Sequence, residues 1–400
     1  MPNTPITIAQ ARACVLLATP RLGEERVPIG DALDRVLARD VRATGDVPPF
    51  ACSAMDGYAL KAGPAARTLN VIGESRAGAP SPRLVGDGEA IRISTGGAIP
   101  AGAEAVIRQE DVVPGNGQIA TTAAVAPGEN VREAGEDMRA GTTSVPAGTT
   151  LRAAELGAVV AAGAGEVTVA IKPRVSVLCT GDELRGPGEA LGPGEIHNSN
   201  GPMLAALATH AGASAATARR LPDDRARTEA ALEEALDGSD VVIIAGGVSV
   251  GPHDLVKPAL ANLGVEQLFW RVALRPGGPT WFGVRGGRLV FGLPGNPVSA
   301  FVTFSLFTRP AIAALQGASP DRMLDREATL AVAVPQNPRL EQAVRVRLER
   351  RNGTTLAFPT GPQGSHMVTS LLGADALALI PPGAGELHAG MTVALESLPS

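Results

Sequence analysis

Residues 241–254 read VVIIAGGVSVGPHD, so five apolar residues run directly into a glycine-rich loop. An apolar run of this length, bounded by glycine, is typical of a strand buried on both faces of a parallel sheet. The glycines would let backbone N–H groups approach an anion closely, and Ser249 adds a hydroxyl donor. Asp254 lies next to where a metal bound to a phosphate would sit. The loop has no Walker spacing and does not predict P-loop nucleotide hydrolysis, and a tight turn between strand and helix also explains it.

The chain alternates between strand and helix on the N-terminal side of this loop. Strands are predicted at residues 174–179, 214–221 and 241–245, and helices at residues 199–210 and 225–236. This order implies right-handed crossovers and a doubly wound sheet, whose ligand crevice lies beyond the carboxyl ends of the strands. We therefore expect the functional residues in the loops that follow those strands.

Two further loops lie at this predicted edge. Residues 180–184 read TGDEL, and the two adjacent acids could hold Mg²⁺ or position a water molecule, although an ordinary solvated loop is the alternative. Residues 292–300 read GLPGNPVSA, with Asn296 placed to cap a helix and Pro297 at its first position. The free N–H groups of that helix start would face the crevice and form an anion site, unless the helix is simply well capped. Two anion sites at one sheet edge predict a ligand with separated negative groups.

Arg271 and Arg275 are predicted to point to the same face of an extended stretch. Their guanidinium groups could bind an oxyanion, and ordinary ion pairing at the surface is the alternative. In the N-terminal half, residues 53–59 read SAMDGYA and contain an Asp-Gly dipeptide, which is typical of a hairpin turn. Because this stretch follows the Pro-Pro-Phe of residues 48–50, it is also a candidate functional segment.

The region before the α/β segment is predicted to be helical at its start and mostly β afterwards. Thr7 and Gln10 have the spacing of a capping box, so a helix is expected to begin there. Residues 41–147 contain short β-like runs separated by glycine and proline, and a helical stretch follows at residues 152–162.

Apolar residues alternate with polar ones after Pro320. The alternating apolar positions are Leu330, Val332, Val334, Val344, Val346 and Leu348, with Arg345, Arg347 and Glu349 between the last three and after them. A period of two is typical of strands with one buried face. The sequence therefore predicts a small all-β C-terminal domain.

Composition excludes several classes of protein. The chain of 400 residues carries 35 basic and 40 acidic side chains, a net charge of −5, so nucleic acid and anionic membranes are not predicted as partners. Its three cysteines, in no Cys-x-x-Cys pattern, fit neither a disulfide framework nor a structural zinc site. The N-terminus lacks a basic region followed by an apolar stretch, so we expect a soluble cytoplasmic protein.

Seven motifs, spread in order along nearly the whole chain, together resemble the MoeA family of molybdopterin molybdenumtransferases, which is also seen as the E domain of gephyrin. The motifs are PPF at residues 48–50 with SAMDGYA at 53–59, RISTG at 92–96, TGDEL at 180–184, NSN at 198–200, GGVSVG at 246–251, GLPGNPVSA at 292–300 and QGSH at 363–366. One such motif is weak, but seven in the right order are specific.

The resemblance implies an α/β and β multidomain fold and an elongated homodimer with the active cleft between subunits. Its parts would be a linking region at residues 1–45 and 146–172, a mostly β lid at 46–145, a doubly wound α/β molybdopterin-binding domain at 173–322 and a C-terminal β-barrel at 323–400. The implied reaction converts adenylylated molybdopterin and molybdate, with Mg²⁺, into molybdenum cofactor and AMP. The adenylyltransferase that supplies this substrate is a candidate partner.

The resemblance also implies site residues. The catalytic residues would be Asp56, Thr95, Glu183, Asp223 and Asp254. Among them Asp254, Asp223 and Glu183 would hold Mg²⁺, with Asp223 chosen over its neighbour Asp224 by its spacing to Asp254. The substrate-binding residues would be Gly246, Gly247, Ser249, Gly251, Arg271, Arg275, Pro294, Asn296, Ser299, Arg345 and Ser365. The chain departs from the family pattern where lysines are usual, with Arg at 271 and 275 and glycine at Gly278.

Two other functions are weighed against molybdenum insertion. A molybdopterin adenylyltransferase would need only the α/β domain and ATP, so the extra lid and barrel argue against it. A noncatalytic dimeric scaffold would keep the fold without the chemistry, and the presence of all five polar catalytic candidates argues against that.

Overall fold

A computed structural model describes residues 4–221, 224–247, 255–318 and 326–398. Within these ranges the α-helices are Ile8–Ala18, Ala153–Ala161, Asn200–His210, Arg225–Gly238, Val256–Asn262, Pro297–Thr303 and Arg309–Leu315. Short 3₁₀-helices lie at Ile29–Asp31, Gln109–Asp111 and Val368–Leu371.

The first helix begins with the predicted capping box. The Gln10 backbone N–H donates to the Thr7 hydroxyl at 3.1 Å, and the Thr7 N–H donates to the Gln10 side-chain oxygen at 3.0 Å. The helix buries Ile8, Ala11 and Val15 in the core of the α/β domain. A chain segment far from that domain in sequence is thereby packed against it.

Residues from the two predicted linking segments pair with each other, and the first segment also pairs with the last residues of the predicted lid. Strand Glu24–Pro28 runs antiparallel to Glu166–Ala170, and Val41–Arg42 runs antiparallel to Thr143–Val145. Together with helix Ala153–Ala161 these strands enclose a separate hydrophobic cluster.

The region between these segments is built on a six-stranded sheet, as the mostly β prediction required. Its strands, in spatial order, are Ala105–Arg108, Gly57–Leu60, Glu89–Ile93, Thr68–Ser75, Gln118–Thr121 and Val112–Pro114, and a separate pair joins Cys52–Ser53 to Val131–Arg132. Gly57 lies where a β-carbon would collide with the carbonyl oxygen of Ile107 on the adjacent strand, so only glycine fits there.

The α/β domain has the predicted doubly wound sheet. Its strands, in spatial order, are Ala215–Leu221, Arg174–Thr180, Val241–Ala245, Arg288–Leu293, Trp281–Arg285 and Glu266–Trp270. The first four are parallel to one another, and Trp281–Arg285 is antiparallel to both of its neighbours. A small parallel pair, Leu184–Arg185 with Ile196–His197, follows the second of these strands.

The central strand is buried on both faces, as its apolar run predicted. Val241, Ile243 and Ala245 belong to one hydrophobic cluster, whereas Val242 and Ile244 belong to the cluster on the other side of the sheet. Each buried aliphatic side chain of this kind contributes about 1.5–3 kcal/mol.

A continuous helical segment crosses the core of this domain. Helix Pro297–Thr303, the π-helical turn Phe304–Thr308 and helix Arg309–Leu315 follow one another without a break. The segment Pro297–Leu315 is long and apolar enough to cross a membrane, but 89% of it is buried inside the fold. It is therefore a core helix of the α/β domain.

The C-terminal domain is a closed barrel, as expected. Its five strands are Arg326–Leu330, Glu341–Arg351, Thr354–Pro359, Ala376–Ile380 and Thr392–Ser397. The ring closes because the long strand Glu341–Arg351 pairs with both Thr354–Pro359 and Ala376–Ile380. The predicted alternation through Val332 was wrong: the first strand ends at Leu330, Val332 is exposed, and a separate short strand Val334–Pro335 pairs with Glu386–Leu387.

Two features tie the barrel to the rest of the chain. The short strand Leu274–Arg275, which precedes the barrel in sequence, joins the barrel sheet parallel to Glu341 and Gln342. In addition, the fully buried carboxylate of Glu396 forms ion pairs with Arg12 and with Arg309. The barrel is thus joined to the first helix and to the core helix.

Candidate functional site

A cleft of about 270 Å³ lies at the carboxyl edge of the α/β sheet. It is lined by Thr180, Gly181, Glu183, Thr228, Gly246, Gly247, Leu255, Val256 and Gly295. The structure thus brings together three predicted site residues, Glu183, Gly246 and Gly247. They come from the ends of two neighbouring strands, as the crevice rule for doubly wound sheets requires.

Gly246 and Gly247 have left-handed backbone conformations, with φ of 88° and 64°. A β-carbon at either position would press on the Thr180 side chain across the cleft. Glycine is therefore required for both conformation and space. The Gly246 N–H already donates to the Leu293 carbonyl at 3.0 Å, so the prediction that the glycine amides of this loop are free for an anion was wrong for Gly246. The rest of this loop, including Ser249, Gly251 and Asp254, lies outside the described residues, as does Asp223.

The predicted Mg²⁺ site can be tested only at Glu183. Among the described residues, no group of three or more His, Cys, Asp or Glu side chains is placed to hold a metal. Mg²⁺ in proteins is commonly bound by one or two carboxylates together with substrate phosphates and waters. A single carboxylate from Glu183 in the same cleft as the Gly247 amide, which could bind phosphate, fits that pattern.

Asn200 bonds to Gly295 in the wall of the cleft, and Asn198 bonds to the start of the helix that follows it, roles that the sequence analysis did not assign. The Asn200 side-chain N–H donates to the Gly295 carbonyl at 2.7 Å, and the Asn198 side-chain oxygen accepts from the Gly201 N–H at 3.0 Å. Burial raises the pKa of the Cys179 thiol, and a hydrogen bond from Asn198 opposes that rise. The sequence analysis did note both asparagines in the motif at residues 198–200. Residue spacing alone, however, does not show that the Asn200 side chain bonds to the loop that contains Gly295.

The third loop begins a helix as predicted, with Asn296 at the N-cap and Pro297 in the first turn. The Asn296 side chain does not cap the helix, however, but donates to the Ser365 hydroxyl at 3.1 Å. The Val298 N–H donates to the Ser365 carbonyl at 3.1 Å. The prediction that the N–H groups of this helix start are free to face the crevice was therefore wrong for Val298, because a barrel loop occupies it.

Arg345 is the most deeply buried cation of the described residues, at 0% relative exposure. One guanidinium nitrogen, Nη2, reaches the carbonyls of Pro362 and Gly364 at 3.3 and 3.5 Å. Its Nε and Nη1 are buried without a hydrogen-bond partner in the described part of the chain. Burial lowers the pKa of Arg345 to about 10.

This arrangement favours an anion beside Arg345. A buried guanidinium without a charge partner costs several kcal/mol, so it is maintained where an anion binds. Its two unpartnered nitrogens are the donors that a tetrahedral oxyanion would use. The alternation of apolar and polar residues places Arg345, between Val344 and Val346, on the polar face of its strand. Arg345 is nevertheless buried, because the loop at residues 360–365 covers that face. The candidate oxyanion residues Asn296, Arg345 and Ser365 thus gather at the junction of barrel and α/β domain, and the buried Ser299 follows Val298 there.

Arg271 and Arg275 do not share a strand face, so that prediction was wrong. Arg271 has a left-handed backbone with φ of 74°, which breaks the extended stretch. Its guanidinium carbon lies 4.5 Å from the centre of the Trp270 ring, and Lys257 Nζ lies 4.3 Å from the same centre. Arg275 instead lies opposite Gln342 in the barrel sheet, next to the strand that carries Arg345. Pro294 is buried at the end of its strand.

Asp56 and Thr95 come together on the surface of the mostly β region. The Asp56 carboxylate accepts from the Thr95 backbone N–H at 2.7 Å and from the Thr95 hydroxyl at 3.0 Å. The backbone and then the hydroxyl hydrogen bond hold the pKa of Asp56 below its ordinary value, with a smaller effect from Arg92. Among the described residues, the carboxylate hydrogen-bonds to Thr95 and to no group of the α/β domain.

Three family regions match this chain. They are the MoeA N-terminal region (domain I and II) over residues 6–163, a probable molybdopterin binding domain over residues 176–314 and the MoeA C-terminal region (domain IV) over residues 327–398.

The chain is also similar to named molybdopterin molybdenumtransferases along nearly its whole length. The molybdopterin molybdenumtransferase of Bacillus subtilis is 34% identical over 402 residues, covering 98% of this chain and 94% of that protein. Molybdopterin molybdenumtransferase 2 of Mycobacterium tuberculosis is 35% identical over 378 residues, covering 91% of this chain and 92% of that protein. The crystal structure of a molybdopterin biosynthesis moeA protein from Pyrococcus horikoshii matches with a TM-score of 0.84 at 31% identity, covering 99% of this chain and 100% of that one.

Proposed function

Because this chain belongs to the MoeA family, it is an enzyme that inserts molybdenum into molybdopterin during molybdenum cofactor biosynthesis, and we propose that it uses adenylylated molybdopterin, molybdate and Mg²⁺ and releases AMP. The fully buried Arg345, with two unpartnered nitrogens beside Ser365 and Asn296, carries the proposal. A tetrahedral dianion such as molybdate supplies the acceptors and the negative charge that this pocket lacks.

The cleft at the sheet edge is the proposed site for the phosphate groups of the substrate. The backbone amide of Gly247 would bind a phosphate oxygen, with Ser249 and Gly251 extending the same loop. Gly246 would contribute space for the phosphate, because its own N–H donates to the Leu293 carbonyl. Glu183, together with Asp223 and Asp254, would hold Mg²⁺. When bound, that ion would neutralise the charge that develops on the phosphoanhydride as AMP departs. Arg271 and Arg275 would add cationic charge around the anionic substrates.

We assign Asp56 and Thr95 to the active site of a second copy of this chain. Thr95 keeps the Asp56 carboxylate charged and oriented at the surface of the lid, where it is free to meet another subunit. A homodimer in which each cleft is completed by the partner's lid accounts for this placement. The adenylyltransferase that makes the substrate is the proposed supplier, and it would meet the dimer as a separate partner protein.

The oxyanion site is tested by following AMP release from adenylylated molybdopterin as molybdate is varied. Arg345→Met should raise the KM for molybdate at least tenfold, because one buried charge-assisted contact contributes about 1.5–3 kcal/mol. Arg347→Met is the matched control, since Arg347 lies on the same strand but is exposed and pairs with Glu349. An unchanged KM for molybdate in Arg345→Met would contradict the site.

Subunit sharing is tested by mixing two inactive proteins. Asp56→Ala and Glu183→Ala should each lose activity as homodimers, whereas their mixed dimers should regain activity from the one cleft that carries neither substitution. Mixed dimers that are confirmed by mass but show no activity would exclude a shared site.

A further inference from the structure

Gln363 uses its side-chain amide to bind both backbone groups of Arg345. The Arg345 N–H donates to the Gln363 side-chain oxygen at 3.0 Å, and the Gln363 side-chain N–H donates back to the Arg345 carbonyl at 3.3 Å. The same side-chain nitrogen also donates to the Gly361 carbonyl at 3.1 Å. One amide therefore fixes both the strand residue and its own loop.

These hydrogen bonds lie just beyond the end of the pairing between two barrel strands. Strand Glu341–Arg351 pairs with Thr354–Pro359 only as far as Val346 opposite Pro359, so Arg345 is the first residue beyond that ladder. The Thr360 N–H still donates to the Arg345 carbonyl at 3.0 Å, but the Arg345 N–H has no strand partner on that side. The Gln363 side chain supplies the missing acceptor.

The loop that Gln363 holds also determines the surroundings of the guanidinium. Pro362 and Gly364, on either side of Gln363, supply the carbonyls that Nη2 reaches. The next residue, Ser365, accepts hydrogen bonds from Val298 and Asn296 at the helix start. A shift of this loop would therefore move the buried cation and the helix start relative to each other.

We propose that Gln363 is a positioning residue of the oxyanion site, which holds the loop at residues 361–365 against Arg345 so that the two unpartnered guanidinium nitrogens and Ser365 bind one tetrahedral dianion. The inference rests on the proposed function of Arg345 as an oxyanion ligand. Gln363 itself is not expected to touch the anion.

The test measures molybdate binding to the full-length protein by equilibrium dialysis, together with the KM for molybdate and kcat. Gln363→Met keeps the length of the side chain and removes its hydrogen bonds. Because the loop that places the two guanidinium nitrogens is no longer fixed, the Kd and KM for molybdate should rise about tenfold, with kcat at saturating molybdate within about twofold. Gln363→Glu keeps the acceptor for the Arg345 N–H but loses the donor and places a negative charge beside the guanidinium, so its loss of affinity should be larger.

Gln336→Ala is the control, because Gln336 also bonds a barrel-loop carbonyl, that of Pro381, away from the pocket. The inference is wrong if Gln363→Met and Gln363→Glu bind molybdate as the wild type does, or if they lower kcat while leaving Kd unchanged. A purely structural role would make the two variants equal in molybdate affinity once thermal unfolding shows both to be folded. If Arg345→Met also binds molybdate normally, the oxyanion pocket itself is wrong; if only Arg345→Met is impaired, Gln363 alone is misassigned.

Discussion

Replacing Glu396 with alanine should be among the most destabilising single changes in the barrel. Its carboxylate is fully buried and pairs with Arg12 at 2.6 Å through one oxygen and with Arg309 through the other. The side chains of the two arginines are only 11% and 9% exposed. Removing the carboxylate leaves two cations with little access to water and without their shared counter-ion.

The expected loss is about 4 kcal/mol in the free energy of unfolding, since removing one partner of a buried ion pair costs about 3–5 kcal/mol. The bond from Arg12 to the Leu306 carbonyl, at 3.1 Å, remains and keeps the loss from being larger. Glu166→Ala is the matched control, because its pair with Arg26 has side chains 55% and 74% exposed and should contribute at most about 1 kcal/mol.

Urea unfolding measures the stability of both variants, followed by the fluorescence of Trp270 and Trp281 in the α/β domain, which the triad of Arg12, Glu396 and Arg309 contacts. A triple variant with Arg12→Met, Arg309→Leu and Glu396→Leu should recover much of the lost stability, because apolar replacement of all partners removes the desolvation penalty. If Glu396→Ala loses no more than Glu166→Ala, the triad does not join the barrel to the helices energetically. If the triple variant is less stable than Glu396→Ala, unpaired charge is not the cause of the loss.

Three other outcomes are expected. Thr95→Val should raise the pKa of Asp56 toward, but not up to, its ordinary value of about 3.9, because the backbone hydrogen bond remains; an NMR titration of the carboxyl that shows no rise would contradict this. In the wild type this hydrogen-bond contribution is fully present above that ordinary pKa and is lost only as the pH falls through the lowered folded-state value. Gly57→Ala should lower the free energy of unfolding by at least about 3 kcal/mol, measured by thermal or urea unfolding, because the new methyl group would collide with backbone. Gly45→Ala, with open space around it, is the control and should change the stability little; equal losses would refute the steric argument. Asn200→Leu should raise the KM for adenylylated molybdopterin while leaving the KM for molybdate unchanged, because it removes a hydrogen bond across the cleft wall and none at the oxyanion pocket; a change in the molybdate KM alone would contradict that division.

The α/β sheet could be predicted from the sequence because its evidence is local. The run Val241–Ala245 has no polar residue on either face, and only a strand covered on both sides of a sheet tolerates that. The capping box at Thr7 and the helix start at Asn296 were likewise predictable, since each depends on residues within one turn. The substrate-binding roles of Ser249 and Gly251 and the catalytic roles of Asp223 and Asp254 stay predictions, because these residues lie outside the described ranges.

The gathering of Asn296, Arg345 and Ser365 at the junction of barrel and α/β domain could not be predicted in this way, because it depends on contacts between distant segments. The alternation of apolar and polar residues places Arg345 on the polar face of its strand, which predicts an exposed side chain. No residue near Arg345 in the sequence indicates that the loop at residues 360–365 covers it. Arg271 and Arg275 fit a common strand face by spacing, but Arg271 takes a left-handed backbone and Arg275 pairs with the barrel instead. Gln363 was noticed as part of a motif, yet its two bonds to Arg345 are a property of the folded chain.

The strand Leu274–Arg275 limits how far this protein can be dissected. Although these residues precede the core helix, their backbone hydrogen bonds belong to the barrel. A truncated chain that ends before Arg326 would leave this strand with an unpaired edge and would expose the apolar residues beneath it, which favours aggregation. Exchange of the C-terminal domain between relatives should therefore succeed only when residues 274–275 are transplanted with it. The barrel sheet includes these two residues, although they lie within the α/β segment of the sequence.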